Sequence, residues 1–150
     1  MPRCPRRLLT IVAILAIAGC AGSPPTLQGA LAAGPNANPD RSGRPSPVVV
    51  RVYELKALAA FNSADFFSLH DKEHETLGSD LVGREEYLLS PGETRPYQRQ
   101  LQPDTKFIGV LAAFRDLENA RWRQAAPVPA KRSATLTIGI EAQAVTVDVK

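Results

Sequence analysis

Few side chains in this chain of 150 residues could carry covalent or acid–base chemistry, and their spacing narrows what each could do. His70 and His74 stand four apart in a helical stretch, so they share a face and could hold one edge of a metal site. Glu73 and Glu75 lie beside them, but the order His70-Asp71-Lys72-Glu73-His74 is not that of a zinc protease. The chain has only 2 histidines, so no third imidazole completes a ligand set. Nucleophilic catalysis needs a serine or cysteine beside a base. Both histidines fall in one polar segment with Asp71, Glu73 and Glu75, and neither a Gly-x-Ser-x-Gly turn nor a phosphate-cradling glycine loop is present. Glu85 and Glu86 are adjacent in an extended segment, where neighbours point to opposite faces and cannot flank one substrate. The pattern predicts neither a catalytic nor a metal-ligating residue: the chain reads as a protein that is not an enzyme.

The remaining reactive group is the thiol of Cys20. Ahead of it, Arg3, Arg6 and Arg7 form a basic start, and Leu8 to Ala18 is apolar throughout apart from Thr10. That run is too short for the ~20 residues that cross a bilayer and suits the core of a secretory signal. It ends in Ile17-Ala18-Gly19-Cys20, which resembles the bacterial lipobox, where the sulfur takes a diacylglycerol before cleavage. Residues 1–19 are therefore expected to leave as a signal peptide, and 20–25 to form a tether bearing diacylglycerol and an N-acyl chain on Cys20. Two or three acyl chains on one residue meet the requirement for stable anchoring. Ala21 follows in place of the aspartate that commonly retains lipoproteins in the inner membrane, so the resemblance implies the outer membrane, facing the periplasm. Of the 2 cysteines, Cys4 leaves with the signal and Cys20 is acylated, so no disulfide is expected. Removing the three arginines with the signal balances the 18 basic and 15 acidic residues of the whole chain at 15 each. That balance argues against nucleic acid and against a polybasic membrane patch.

Residues 26–150 show alternation and turn punctuation more than helical periodicity. Strands are expected over 26–32, 48–55 (VVVRVYEL, rich in branched and aromatic residues), 81–90, 94–101, 106–114, 121–125, 134–141 and 145–149. Pro96 favours a sheet edge for the fourth. Between the second and third strands, about 57–78, the proline-free and alanine-rich stretch predicts two or three short helices. Ser63 and Asp71 are the expected helix starts and Gly78 the stop, with Leu58, Phe61, Phe66, Phe67, Leu69 and Leu77 packing on the sheet. Trp122 is expected in the core and Arg115-Asp116 as a paired turn; the alternative is that Arg115-Asp116 and Trp122-Arg123 mark a recognition surface, since arginine and tryptophan are common hot-spot residues. About eight short strands in this order make a mainly β protein, a β-sandwich with one helical insertion. Residues 34–47 hold four prolines, two glycines and two asparagines and form a loop long enough to suggest a function.

Several of these segments carry a family likeness. The run from Asn38 to Lys56 (NPDRSGRPSPVVVRVYELK) resembles the start of TssJ, the outer-membrane lipoprotein family of type VI secretion also called SciN or VasD. Phe61-x-x-Ala64-Asp65-Phe66-Phe67, Leu77-Gly78-x-Asp80-Leu81, Pro91-Gly92-Glu93, Ile108 to Leu117 (IGVLAAFRDL) and Trp122-Arg123 follow in the family's order. The resemblance implies a transthyretin-like β-sandwich with added helices. It implies a role without chemistry: holding the periplasmic C-terminal region of the inner-membrane protein TssM at the outer membrane, in a complex with TssL. No cofactor and no small-molecule substrate are expected. The family's partner contact uses the loop between the first two strands, here Gly34 to Ser46. Within it Asn36, Asn38, Pro39, Asp40, Arg41 and Arg44 are the expected partner-binding residues. Arg41 and Arg44 bring planar forked donors suited to carboxylates, and the prolines reduce the entropy lost on docking. The alternative is a periplasmic lipoprotein that carries a small ligand within its sandwich.

Overall fold

The structure is a computed structural model and describes residues 24–130 and 133–150. The signal peptide, Cys20 and Ala21 lie outside the described residues. Eight strands run in the order β1 (Thr26–Ala33), β2 (Val48–Leu55), β3 (Leu81–Leu89), β4 (Thr94–Gln100), β5 (Phe107–Ala113), β6 (Arg123–Pro127), β7 (Ser133–Ile140) and β8 (Val145–Val149). Between β2 and β3 come α1 (Ala59–Ser63), α2 (Phe66–Asp71), α3 (Glu73–Leu77) and a single 3₁₀ turn at Gly78–Asp80. One sheet has the order β4-β1-β7-β8 and the other β3-β2-β5-β6. The chain is the β-sandwich with one helical insertion that the alternation predicts.

β1 lies inside its sheet, antiparallel to β4 and parallel to β7. Strand alternation sorts side chains cleanly in β7, where Ala134, Leu136, Ile138 and Ile140 are buried between exposed neighbours. They meet Leu27 and Leu31 from β1, Val48, Val50 and Val52 from β2, and Ile108, Val110 and Ala112 from β5 in the core between the sheets. β2 and β5 are buried on both faces because the helical insertion covers the outer face of their sheet. There Phe61, Leu69 and Leu77 pack on Tyr53, Leu55 and Leu111. This second cover explains why Phe107 to Ala113 reads as a continuous apolar run and not as an alternating one.

Three local expectations need correction. Asp65, and neither Ser63 nor Asp71, caps a helix through its side chain: its carboxylate accepts the Ser68 N–H at 3.0 Å. Ser63 instead closes α1, and Asp71 closes α2. Phe67 does not pack on the sheet and is 63% exposed. In a helix of six residues, Phe66 and Leu69, three apart, take the inner face, and Phe67 is turned about 100° away from Phe66. β6 runs over Arg123–Pro127, later than expected, while Arg121 makes an isolated parallel bridge to Ala144 of the β7–β8 turn.

Buried charge closes the side of the sandwich where β3 and β4 form the sheet edges. Glu54, 2% exposed, accepts the Gln102 N–H at 2.9 Å and the Thr105 hydroxyl at 2.7 Å. Arg99 of β4 brings Nε to 2.7 Å from Glu54 Oε1, a charge contact and not an aligned hydrogen bond, and reaches Glu85 of β3 at 2.5 Å. Glu86, on the opposite face, pairs with Arg51 at 2.7 Å. The two adjacent carboxylates therefore serve different faces, as strand geometry requires.

At Gly29 an added Cβ would lie 1.7 Å from the Leu136 carbonyl oxygen, a backbone atom that cannot swing aside. Gly29→Ala should force β1 from β7, costing at least about 3 kcal/mol and lowering the thermal midpoint by roughly 10 °C or more. Gly34→Ala, whose Cβ would find its nearest neighbours at 3.5 Å, is the control and should melt close to the parent. Calorimetry of both variants checks the pair.

Candidate functional site

The chain enters β1 at Pro25, whose carbonyl accepts the Leu101 N–H at 2.9 Å, and leaves it at Ala33 for the long loop. Eight residues of strand at ~3.3 Å each separate the two ends by about 25 Å. The loop is thus at the far end of the sandwich from the side where the N-terminal segment arrives.

The loop is held in one shape by its own polar groups. Asn38 has φ of 50°, in the left-handed region that asparagine tolerates better than other side-chain-bearing residues. Its N–H donates to the Ala142 carbonyl at 3.1 Å, its Nδ2 donates to the Pro47 carbonyl at 2.7 Å, and its Oδ1 accepts the Arg115 N–H at 2.7 Å. One residue thereby joins three connections: β1–β2, β5–β6 and β7–β8. Further out, Asp40 closes a tight turn. Its Oδ1 accepts the N–H groups of Ser42 at 2.8 Å and Arg44 at 3.0 Å, and its Oδ2 accepts the Arg44 Nε–H at 2.9 Å. Gly43, at φ of 76°, supplies the left-handed position the turn needs. The Arg44 backbone N–H is the chief cause that holds the Asp40 carboxyl below the usual aspartate range, helped by the Arg44 guanidinium, the Ser42 N–H and the charge of Arg115.

These connections wall a groove of about 1040 Å³. Pro39, Asp40, Arg41, Ser42 and Arg44 form one side, Arg115 to Glu118 another, and Phe67 and Gln143 complete the lining. Of the expected loop residues, Pro39, Asp40, Arg41 and Arg44 therefore line the groove. Asn36 is exposed elsewhere on the loop. Asn38 is 3% exposed with both ends of its amide occupied, so it positions the loop and does not present its side chain outward.

The opposite side of the groove includes Arg115 and Asp116, one half of the alternative recognition surface, while Trp122 and Arg123 do not line it. Arg115 and Asp116 are not a paired turn: Asp116 takes hydrogen bonds from Asn119 at 3.0 Å and Gln143 at 2.9 Å, and Arg115 is exposed. Trp122 is half-buried, edge-on to Phe66, with the Arg123 guanidinium 4.6 Å from its ring centre. The Arg123 guanidinium also donates to the carbonyls of Phe61, at 2.9 Å, and Ala64, so this pair secures α1. The two histidines have different surroundings. His70 stacks on Phe66 and lies 2.7 Å from an Asp71 oxygen, while the His74 side chain is 87% exposed.

Residues 25–143 match the family described as type VI secretion lipoprotein (VasD, EvfM, TssJ). The T6SS lipoprotein TssJ1 from Pseudomonas aeruginosa is 43% identical, with a TM-score of 0.81 over 85% of this chain and 97% of that one. Serratia marcescens Lip, described as a membrane bound component of the type VI secretion system, is 26% identical, with a TM-score of 0.76 over 85% and 98%. A chain from a structure described as the T6SS protein TssM C-terminal domain from EAEC is 27% identical, with a TM-score of 0.67 over 82% and 97%. No curated protein sequence matches at a significant level.

Two outcomes test the loop's architecture. Asn38→Ala should cost about 1–3 kcal/mol, because it orphans the Arg115 N–H and the Pro47 carbonyl. A denaturant melt that shows less than about 0.5 kcal/mol would mean these bonds contribute nothing net. Asp40 has a depressed folded pKa, so its contribution is complete above the ordinary aspartate pKa and fades as pH falls through the folded value. Its carboxyl carbon should titrate by NMR with a midpoint below that of free aspartate. A midpoint at or above it would show the turn unformed in solution.

Proposed function

For a chain that belongs to the type VI secretion lipoprotein family, TssJ, we propose the role of outer-membrane anchor for the periplasmic C-terminal region of TssM, within a membrane complex that includes TssL. The observation that carries this reading is polarity along β1. The N-terminal tether meets the sandwich at one end, and the groove-bearing connections are gathered at the other. The tether from Cys20 to Pro25 reaches at most ~3.5 Å per residue. With acyl chains on Cys20, the domain would stand close to the bilayer with its groove turned toward the periplasm. The likeness to a chain from a structure named for the TssM C-terminal domain supports the choice of partner.

The work of such a protein is binding, and its most buried charged groups serve the fold. Glu54, Glu73, Arg51 and Arg99 are all engaged in ion pairs within the domain. A ligand-carrying role would need space between the sheets, where Leu27, Leu31, Val50, Val110, Leu136 and Ile138 are packed together with no exposure to solvent.

Affinity purification of the acylated protein from envelopes should recover TssM, and the protein should float with outer-membrane fractions. Cys20→Ser should leave the membrane and abolish secretion while still binding TssM in solution. Native material with a bare sulfur at Cys20, free in the periplasm, or an envelope preparation with no TssM recovered, would refute the role.

A further inference from the structure

Resting on that reading, we propose that β1 is a force-bearing clamp. The domain resists load applied between its tether end and its groove end, and gives way sooner to load applied between its two chain ends. A protein held by lipids at one end and by a polypeptide at the other is pulled in the first of these directions.

Direction decides strength because the hydrogen bonds between strands lie across them. A pull along a strand loads its whole ladder together, whereas a pull across the end of a strand opens one pair at a time. β1 has a ladder on each edge, from Thr26 to Ala32 against β4 and from Thr26 to Ala33 against β7. The fully buried side chains of Leu27 and Leu31 must leave the core in the same event. The groove end offers the matching attachment. Residues 115–118 lie there on the connection between β5 and β6, so a pull on them runs along both strands. Asn38 ties that connection to the β1–β2 loop, and the load is shared between them.

Sliding is barred as well. Gly29 lies opposite Leu136, where an added Cβ would meet the Leu136 carbonyl oxygen at 1.7 Å. Drawing β1 toward the tether by one residue brings Ala30 to that place and turns every buried side chain to the wrong face. Drawing it by two restores the faces but brings Leu31 there. Neither side chain fits without moving the β7 backbone, so the strand cannot creep from register to register. Its two ladders hold or fail as a unit.

The chain ends give the contrasting geometry. β8 is the edge strand of its sheet, with β7 as its neighbour there. Lys150 exchanges backbone hydrogen bonds with Thr135, at 2.7 and 3.0 Å, close to the pair of Thr26 with Ser133. The start of β1 and the end of β8 are therefore at the same end of one sheet. A pull between them runs across the strands and peels β8 from β7, beginning at Lys150.

Optical-trap pulling of the mature chain, made without acylation, tests the clamp. Cys20 is the one cysteine of residues 20–150, so its sulfur takes one handle. The second handle goes to Glu118→Cys on the groove-end connection or to Lys150→Cys, both at exposed positions, and both variants should melt like the parent. Forced unfolding follows the unfolding barrier, and the force through 20 and 118 should be at least about twice that through 20 and 150. In the second geometry a short lengthening, the release of β8, should precede the main event. Equal forces, or a weaker 20–118 geometry, would overturn the clamp. Recovery of TssM from envelopes is a separate readout: its failure removes the anchoring role, while the force ratio alone decides the clamp.

Discussion

The arrangement at the groove end depends on one side chain, Asn38, which holds three connections that are remote in sequence. A loop of fourteen residues between β1 and β2 has backbone groups that no sheet can satisfy, and its prolines supply no N–H donors. Asn38 meets that demand at the one point where the β5–β6 and β7–β8 connections also arrive. Its amide is both donor and acceptor, so a single residue satisfies a carbonyl on its own loop and an N–H on a neighbouring one. An aspartate could not donate to the Pro47 carbonyl, and a glycine would keep the left-handed backbone without either bond.

The rest of the domain is held without cross-links. Between the sheets the core is aliphatic, but the side bounded by β3 and β4 is closed by charge. Glu54 meets the Thr105 hydroxyl, the Gln102 N–H and the Arg99 guanidinium, so its buried charge is paired and one of its oxygens takes two hydrogen bonds. A second set fastens the helices. Glu73 of α3 reaches Arg51 at 3.4 Å, Arg84 at 3.2 Å and the Tyr53 hydroxyl at 3.2 Å, and the Arg51 guanidinium also donates to the His70 carbonyl at 2.5 Å. Burial pushes the Tyr53 hydroxyl up to about 12, so it stays protonated and able to donate. The insertion is thus pinned to β2, and Phe67 inherits its position from that attachment.

For an anchor, the placement of β1 has a mechanical consequence. The strand joins the tether end to the groove end and is hydrogen-bonded along both edges, with paired positions from Thr26 to Ala32 on β4 and from Thr26 to Ala33 on β7. Tension between an acyl anchor and a bound partner would run along this strand and load its ladders in shear, many bonds at once. The close packing of Gly29 on the Leu136 backbone keeps β1 and β7 at that distance.

Local chemistry in the sequence was enough to place the strands other than β6, the helical insertion and the loop, because each follows from short-range periodicity or from prolines and glycines. Pro96 on an edge strand and the opposed faces of Glu85 and Glu86 were legible for the same reason. The sheet order, the parallel pairing of β1 with β7 and the second core under the helices were settled only when distant segments met. So were the burial of Asn38 and the exposure of Phe67. A six-residue helix does not declare its inner face, and an asparagine in a polar loop looks like a surface residue until its partners at 115 and 142 arrive. The groove exists only as the meeting of four connections, and long-range contacts of that kind leave no periodic trace along the chain.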